Sequence, residues 1–173
     1  MNTFFFIPLS LTIGLVVFGL AAKWCYWPWA ERVTFKEAVT PILLMNATRY
    51  LGLGFLVRGV VSADLNPLFA QAAAYGDLTA ACLALIALCM VRLELPGAVV
   101  ALWIFNIEGF LDFLDALGLG LTSIKPEQLQ GVYYIPTLVV PLLMVSEIVL
   151  FALLVRRGRE PMLGGAESAS SAA

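Results

Sequence analysis

The sequence contains no histidine. This absence excludes a haem or chlorophyll held by an axial histidine of this chain, histidine-containing zinc sites, and Ser-His-Asp or Cys-His catalysis. Proton chemistry would have to use carboxylates, tyrosine, cysteine or lysine. The remaining residues identify no other cofactor, so the cofactor, if there is one, is unknown from the sequence.

Charged residues are also scarce. They make up 13% of the 173 residues, whereas 61% are hydrophobic and the mean hydropathy is +0.94. A soluble domain has about a quarter of its residues charged. The composition therefore predicts an integral membrane protein surrounded by a lipid bilayer. The net charge of -2 and the lack of a basic stripe with interleaved aromatics argue against a nucleic-acid partner.

Apolar segments of sufficient length predict five transmembrane helices, and hence an all-α, polytopic transmembrane helical bundle. The segments cover residues 4–22, 34–62, 68–93, 95–118 and 132–155. Thr34 and Glu37 form a capping-box pattern at the start of the second. In the third, Gly76 and Asp77 permit either a continuous helix or a short interfacial helix, 68–75, before the span. Residues 1–157 would form the transmembrane domain and residues 158–173 a flexible cytoplasmic tail.

Basic residues are distributed unevenly between the two predicted membrane faces. Lys125 lies on one face, with Arg58 near its boundary. The other face carries Lys23, Arg32, Lys36, Arg92, Arg156, Arg157 and Arg159. By the positive-inside rule the N-terminus is outside and the C-terminus is cytoplasmic, in a bacterial-type inner membrane.

The fourth apolar segment carries three carboxylates on one helix face. Glu108, Asp112 and Asp115 follow i, i+4, i+7 spacing. An ionised carboxylate near the bilayer centre costs about 2.5–3.5 kcal/mol on insertion scales, so such groups face the bundle interior, pair with a cation or hold a proton. This acidic stripe predicts an intramembrane polar site.

Depth counting suggests cationic partners for the stripe. Arg49 and Glu108 differ in depth by about 6 Å at 1.5 Å per residue, and Arg58 lies level with Asp112 or Asp115. We therefore expect Arg49 to pair with Glu108, and Arg58 with Asp112 or Asp115. The predicted ligand-binding residues are Arg49, Arg58, Glu108 and Asp112, with Asp115 and Asp77 at the outer mouth. Glu147 is interpreted as a separate, deeper site.

Acids outnumber arginines in this set, so at least one acid would lack a direct cation. Such an acid could hold a proton, accept a cation or bind a ligand amine. The alternative is purely structural, because buried Arg–carboxylate pairs can serve only to fix helix register. No catalytic residue or metal site is assigned.

Two stretches resemble DoxX-like bacterial membrane proteins. They are RYLGLGFLVRG, from Arg49 to Gly59, and AYGDL, from Ala74 to Leu78. The likeness covers Arg49 to Leu93. It implies a four-helix bundle of the kind that often serves as an accessory subunit of quinone-linked redox systems. This chain differs by an additional N-terminal span and by the acidic stripe, and no functional residue is transferred.

Three functions fit these observations. The leading hypothesis is a small membrane protein whose polar cavity binds, or also transports, a small or lipid-like amphipathic ligand or protons. The second is a non-catalytic accessory subunit of a larger membrane complex, with partner membrane subunits or further copies of this chain. The third is a membrane enzyme that uses carboxylates for acid–base chemistry. The sequence leaves the choice among them open.

Overall fold

The computed structural model describes residues 5–159, except for the side chains of residues 121–123. Across this range the protein is helical, without a β-strand, and Arg58 and Val61 form an isolated bridge. The predicted all-α class is thus confirmed. From residue 160 onward the predicted flexible tail lies outside the described residues.

Residues 5–159 form seven α-helices and four non-α helical segments. The α-helices are α1 (Phe6–Ala21), α2 (Trp27–Ala30), α3 (Phe35–Ala47), α4 (Pro67–Arg92), α5 (Ala98–Ser123), α6 (Pro126–Leu129) and α7 (Val140–Arg157). There are two π-helical segments. Ala22–Tyr26 joins α1 to α2, and Ile135–Val139 directly precedes α7. Two 3₁₀ segments cover Thr48–Leu56 and Gln130–Tyr133; the former is called the 3₁₀ segment below.

The second predicted helix differs from the structure in its second half. Its start is confirmed, because Thr34 and Glu37 form a reciprocal capping box. Continuous helix to residue 62 was wrong, since α3 ends at Ala47 and the nine-residue 3₁₀ segment follows. Glycines lower α-helix stability, and Gly52 and Gly54 both lie in this segment. In the third segment the continuous alternative is confirmed, because α4 runs through Gly76 and Asp77.

Within residues 5–159, five helical stretches run between two ends of the bundle, and each is called a pass below. At the basic end, Lys36 pairs with Glu94 at 2.7 Å, and Arg157 donates hydrogen bonds to the carbonyls of Ala30 and Val33. At the opposite end, the Gly131 amide donates to the Val60 carbonyl at 2.9 Å. The connections predicted to share a membrane face therefore meet in space.

Within the described residues, three helices are long and apolar enough to cross a membrane. They cover Phe6–Ala30, Pro67–Arg92 and Ile135–Arg157. Helix α5 has 26 residues, but its three carboxylates set it apart from the apolar helices. The structure therefore fits a membrane protein, whereas the number of spans stays a prediction.

Two apolar cores pack at different heights in the bundle. The basic-end core is built by α3, α4, α5 and α7, and includes Leu43, Leu102 and Leu150. The opposite-end core includes Phe55, Phe69 and Leu129. Helix α1 has no buried residue and packs on the outside of the bundle, mainly against α7 and Ile135–Val139. The polar site lies between the two cores.

Candidate functional site

The centre of the site is the Arg49 guanidinium, which contacts three carboxylates from three different helices. Arg49 is 1% exposed. Its Nε donates to Asp77 Oδ1 at 2.9 Å, its Nη1 to Glu147 Oε1 at 2.9 Å, and its Nη2 to Asp112 Oδ2. We call Arg49, Asp77, Asp112 and Glu147 the Arg49 cluster. It connects the second, third, fourth and fifth passes of the chain.

Two further contacts fix the orientation of the guanidinium. Nη1 also donates to the Gly109 carbonyl at 3.3 Å, and the Phe113 ring centroid lies 4.0 Å from the guanidinium carbon. A planar guanidinium has donors in fixed directions and stacks on aromatic faces, which a lysine cannot reproduce. All three nitrogens of Arg49 are thus engaged by acceptors.

Glycines provide the space for the carboxylates. A Cβ atom on Gly52 would collide with the Asp77 side chain, and one on Gly76 would collide with Asp112. A Cβ on Gly109 would lie 3.0 Å from Arg49 Nη1 and closer still to Glu147 Oε1. Each acid of the cluster therefore packs against a glycine of the neighbouring pass. The polar groups approach one another because the backbone beside them carries no side chain.

The cluster occupies a layer between the two apolar cores. Arg49 follows Leu43 of the basic-end core and precedes Phe55 of the opposite-end core. In the same layer, Asn46 donates its amide to Ser146 Oγ at 2.9 Å, which joins α3 to α7. The charges are therefore enclosed by apolar side chains towards both ends of the bundle, and their mutual interactions are screened weakly.

The predicted ion pairs were wrong in their partners. No ion pair among the described residues joins Arg49 to Glu108, or Arg58 to either Asp112 or Asp115. Arg58 and Asp115 are exposed. A 3₁₀ helix rises about 2.0 Å per residue instead of 1.5 Å, and it carries Arg58 beyond the level of the acids. Arg58 then lies in the turn after the second pass.

Asp77 and Glu147 are members of the cluster, although Asp77 was predicted at an outer mouth and Glu147 at a separate site. Depth counting could have placed Glu147 correctly. It lies ten residues from the basic end of α7, and Gly109 lies eleven from the start of α5. At 1.5 Å per residue both depths are about 15–17 Å.

Four buried side-chain atoms in the described part of the chain have no hydrogen-bond partner, and all four are acceptors. They are Asn46 Oδ1, Asn106 Oδ1, Glu108 Oε2 and Glu147 Oε2. Buried polar atoms are normally satisfied, so this excess indicates that the layer can accept additional donors. Donors of the right kind are protons on the acids, water molecules and ammonium groups.

An apolar cavity of about 230 Å³ adjoins the cluster towards the opposite end. Its walls come from α1, the 3₁₀ segment, α4, α5 and residues 124–140; they include Phe55, Phe69, Phe113, Leu117, Leu129 and Ile135. Asp77 and Asp112 are its only charged lining residues among those described. The cavity therefore has an apolar body and one acidic corner, where two carboxylates also contact Arg49.

Comparison with known families gives one match. Residues 6–155 match the model of a family described as a domain of unknown function, DUF8737. The chain belongs to this family. The matched range contains the whole Arg49 cluster and the cavity. No curated protein and no solved structure matches the chain, and the resemblance to DoxX-like proteins stays a prediction.

Proposed function

We propose that this protein is an integral membrane protein that binds a small amphipathic ligand with a cationic, amine-type head. The ligand's apolar body would occupy the cavity, and its head would lie at Asp77 and Asp112. The observation that carries this proposal is the apolar cavity with a single acidic corner.

The membrane arrangement in this proposal has five spans, with the N-terminus outside and the C-terminus in the cytoplasm of a bacterial-type cell. Lys36, Arg92 and Arg157 lie at the end of the bundle where α4 and α7 end. A cytoplasmic position for this basic end follows the positive-inside rule. The cavity adjoins the opposite end, so the ligand would enter from the outer half of the bilayer.

The charge balance favours a cationic head. With all groups ionised, one arginine and three carboxylates give the Arg49 cluster a net charge of -2. Each aspartate uses one oxygen for Arg49, which leaves Asp77 Oδ2 and Asp112 Oδ1 for another donor. An ammonium group would reduce the negative charge, whereas an anionic head would increase it. Neutral heads would gain only hydrogen bonds.

A second cavity, of about 440 Å³, lies between α1, α3 and α7. Its lining includes Phe18, Pro41, Val145 and Ser146, and no described lining residue is charged. Ordinary lipid chains would satisfy such a surface. It therefore offers no basis for selecting one ligand over another, and the proposal concerns the acidic cavity alone.

The proposal is tested with octylamine, octanol and octanoate as probes of equal chain length. Binding to the full chain in lipid nanodiscs is measured by native mass spectrometry, near neutral pH. We expect octylamine to bind most tightly and octanoate least. Asp77→Asn should weaken octylamine binding by roughly 10- to 100-fold, the equivalent of about 1.5–3 kcal/mol for a charged hydrogen bond, with little effect on octanol.

Two further variants separate cavity binding from partition into lipid. Ala116 lines the cavity, so Ala116→Phe should fill it and abolish binding of all three probes. Glu94→Gln removes a carboxylate at the distant basic end and should leave binding unchanged. Equal affinity for amine and carboxylate, or binding that survives Ala116→Phe, would reject the proposal.

A further inference from the structure

We infer that the Arg49 cluster is a proton-binding site and that Glu147 carries an exchangeable proton. The inference rests on the geometry of Glu147 and does not require the ligand proposed above. Two observations support it: the carboxylates around Arg49 outnumber its positive charge, and one Glu147 oxygen is buried without a protein donor among the described residues.

Glu147 is the most enclosed acid of the cluster. Its side chain is 0% exposed, whereas those of Asp77 and Asp112 are each 14% exposed. Oε1 accepts a hydrogen bond from Arg49 Nη1 at 2.9 Å, whereas Oε2 has no protein partner in the described part of the chain. An ionised Glu147 would leave part of its charge on an oxygen that no described protein donor contacts. A proton on Oε2 removes that charge and leaves Oε1 as the acceptor for Arg49.

The groups that face Glu147 are more acidic than basic. The 3₁₀ segment contributes Arg49, which also contacts Asp77 of α4, and α5 contributes Glu108 and Asp112. Helix α3 contributes the neutral Asn46, which bonds Ser146, and α1 carries no charged residue. Two further segments pack on α7: Ile135–Val139, which carries no charged residue, and Ala22–Tyr26, with Lys23 towards the basic end and Tyr26 donating its hydroxyl to the Ala38 carbonyl. The single guanidinium of Arg49 therefore interacts with four carboxyl groups, which are those of Asp77, Glu108, Asp112 and Glu147 itself.

Glu108 is the competing position for the proton. Its Oε2 is also buried without a partner, and it has no hydrogen bond to Arg49 among the described contacts. However, the Glu108 side chain is half-buried, whereas the Glu147 side chain of α7 is fully enclosed beside α5 and the 3₁₀ segment. Enclosure penalises the charged form most strongly, so we place the proton on Glu147.

A proton at this position would be linked to the cavity through Arg49. The guanidinium that contacts Glu147 also contacts Asp77 and Asp112, the two charged residues of the cavity lining. Loss of the proton would strengthen the attraction between Glu147 and Nη1 and would add negative charge to the layer. Proton occupancy and the electrostatic potential in the cavity should therefore change together.

Infrared difference spectroscopy tests the inference on the full chain in lipid nanodiscs, without added ligand. At neutral pH, the wild-type minus Glu147→Gln spectrum should contain the carbonyl band of a protonated carboxylic acid, and this band should shift in D₂O. At high pH it should be replaced by carboxylate bands. Glu108→Gln should retain the Glu147 band, and Glu94→Gln serves as the matched control at the basic end.

Each remaining outcome contradicts the inference. A neutral-pH spectrum in which Glu147→Gln removes carboxylate bands would show that Glu147 is ionised. Loss of the acid band in Glu108→Gln, with no change in Glu147→Gln, would place the proton on Glu108. Because glutamine has the shape of a neutral glutamic acid, Glu147→Gln should fold and melt like the wild type. A variant that cannot fold would show that the negative charge itself is required.

Discussion

At the scale of single residues, Arg49 determines how this bundle tolerates its buried acids. A buried ion pair adds little to the free energy of unfolding, because the cost of desolvating its two charges offsets the attraction between them. Removal of one partner has a much larger effect, since the other charge is then left without compensation. Arg49 is the shared partner of Asp77, Asp112 and Glu147, so three acids depend on one side chain.

Replacement of Arg49 should therefore be far more damaging than replacement of Arg58. We expect Arg49→Leu to lower the free energy of unfolding by about 3–5 kcal/mol, the range for breaking a buried ion pair. Arg58 is exposed and belongs to no ion pair among the described residues, so Arg58→Leu should change it by less than about 0.5 kcal/mol. Denaturant titration of both variants in the same detergent provides the comparison. Similar losses in the two would contradict a central role for Arg49.

The sequence predicted which kinds of residue form the site but not how they pair. The spacing of Glu108 and Asp112 predicted a polar site inside a helical bundle with Arg49 as a cation, and the structure places Arg49 and Asp112 together in a buried cluster. The predicted pairing of Arg49 with Glu108 was wrong, because the acid that an arginine contacts depends on the rotation of each helix and on its local pitch. Glu147 was placed apart because it was interpreted as lying deeper than the acids of the fourth segment, whereas Arg49 Nη1 contacts both Glu147 and the Gly109 carbonyl of α5.

At the scale of helices, glycines set the distances between the passes. Gly52, Gly76 and Gly109 each face a carboxylate of the cluster. The end of α3 at Ala47 could not be predicted from hydropathy, because a 3₁₀ segment has the same apolar composition as the α-helix that was expected. In the structure, Gly52 of the 3₁₀ segment lies directly against the Asp77 side chain of α4.

Two glycines of α5 provide a matched test of this packing. Gly109→Ala would place a methyl group against Glu147 and Arg49. We expect it to lower the free energy of unfolding by about 1–3 kcal/mol, which is typical of overpacking. Among the described atoms, a Cβ on Gly118 would meet none within 4 Å, so Gly118→Ala should raise the free energy of unfolding by up to about 1 kcal/mol through helix propensity. Thermal unfolding of both variants in one detergent gives the readout. Stabilisation by both substitutions would show that Gly109 is not tightly packed.

At the scale of the whole molecule, charge asymmetry and apolar surface point to the bilayer. Large apolar side chains such as Phe5, Val16 and Trp24 are exposed along the first pass. Such a surface is stable next to lipid and would promote aggregation in water. Composition alone was enough to predict this property, because it depends on the whole sequence and not on any single contact. The orientation depends on seven basic residues at one end, and it can be measured directly.

Single cysteines at the two ends should react from opposite sides of the membrane. The background is a variant in which Cys25, Cys82 and Cys89, all exposed, are replaced by alanine. In intact cells, a membrane-impermeant maleimide should label Asp64→Cys at the opposite end, because we place this end outside. Glu94→Cys, beside Lys36 at the basic end, should react only after permeabilisation. Labelling of Glu94→Cys in intact cells, with Asp64→Cys reacting only after permeabilisation, would show that the topology is inverted. The cavity would then open towards the cytoplasmic half of the bilayer. Labelling of both sites in intact cells would show that the two ends are not separated by a membrane.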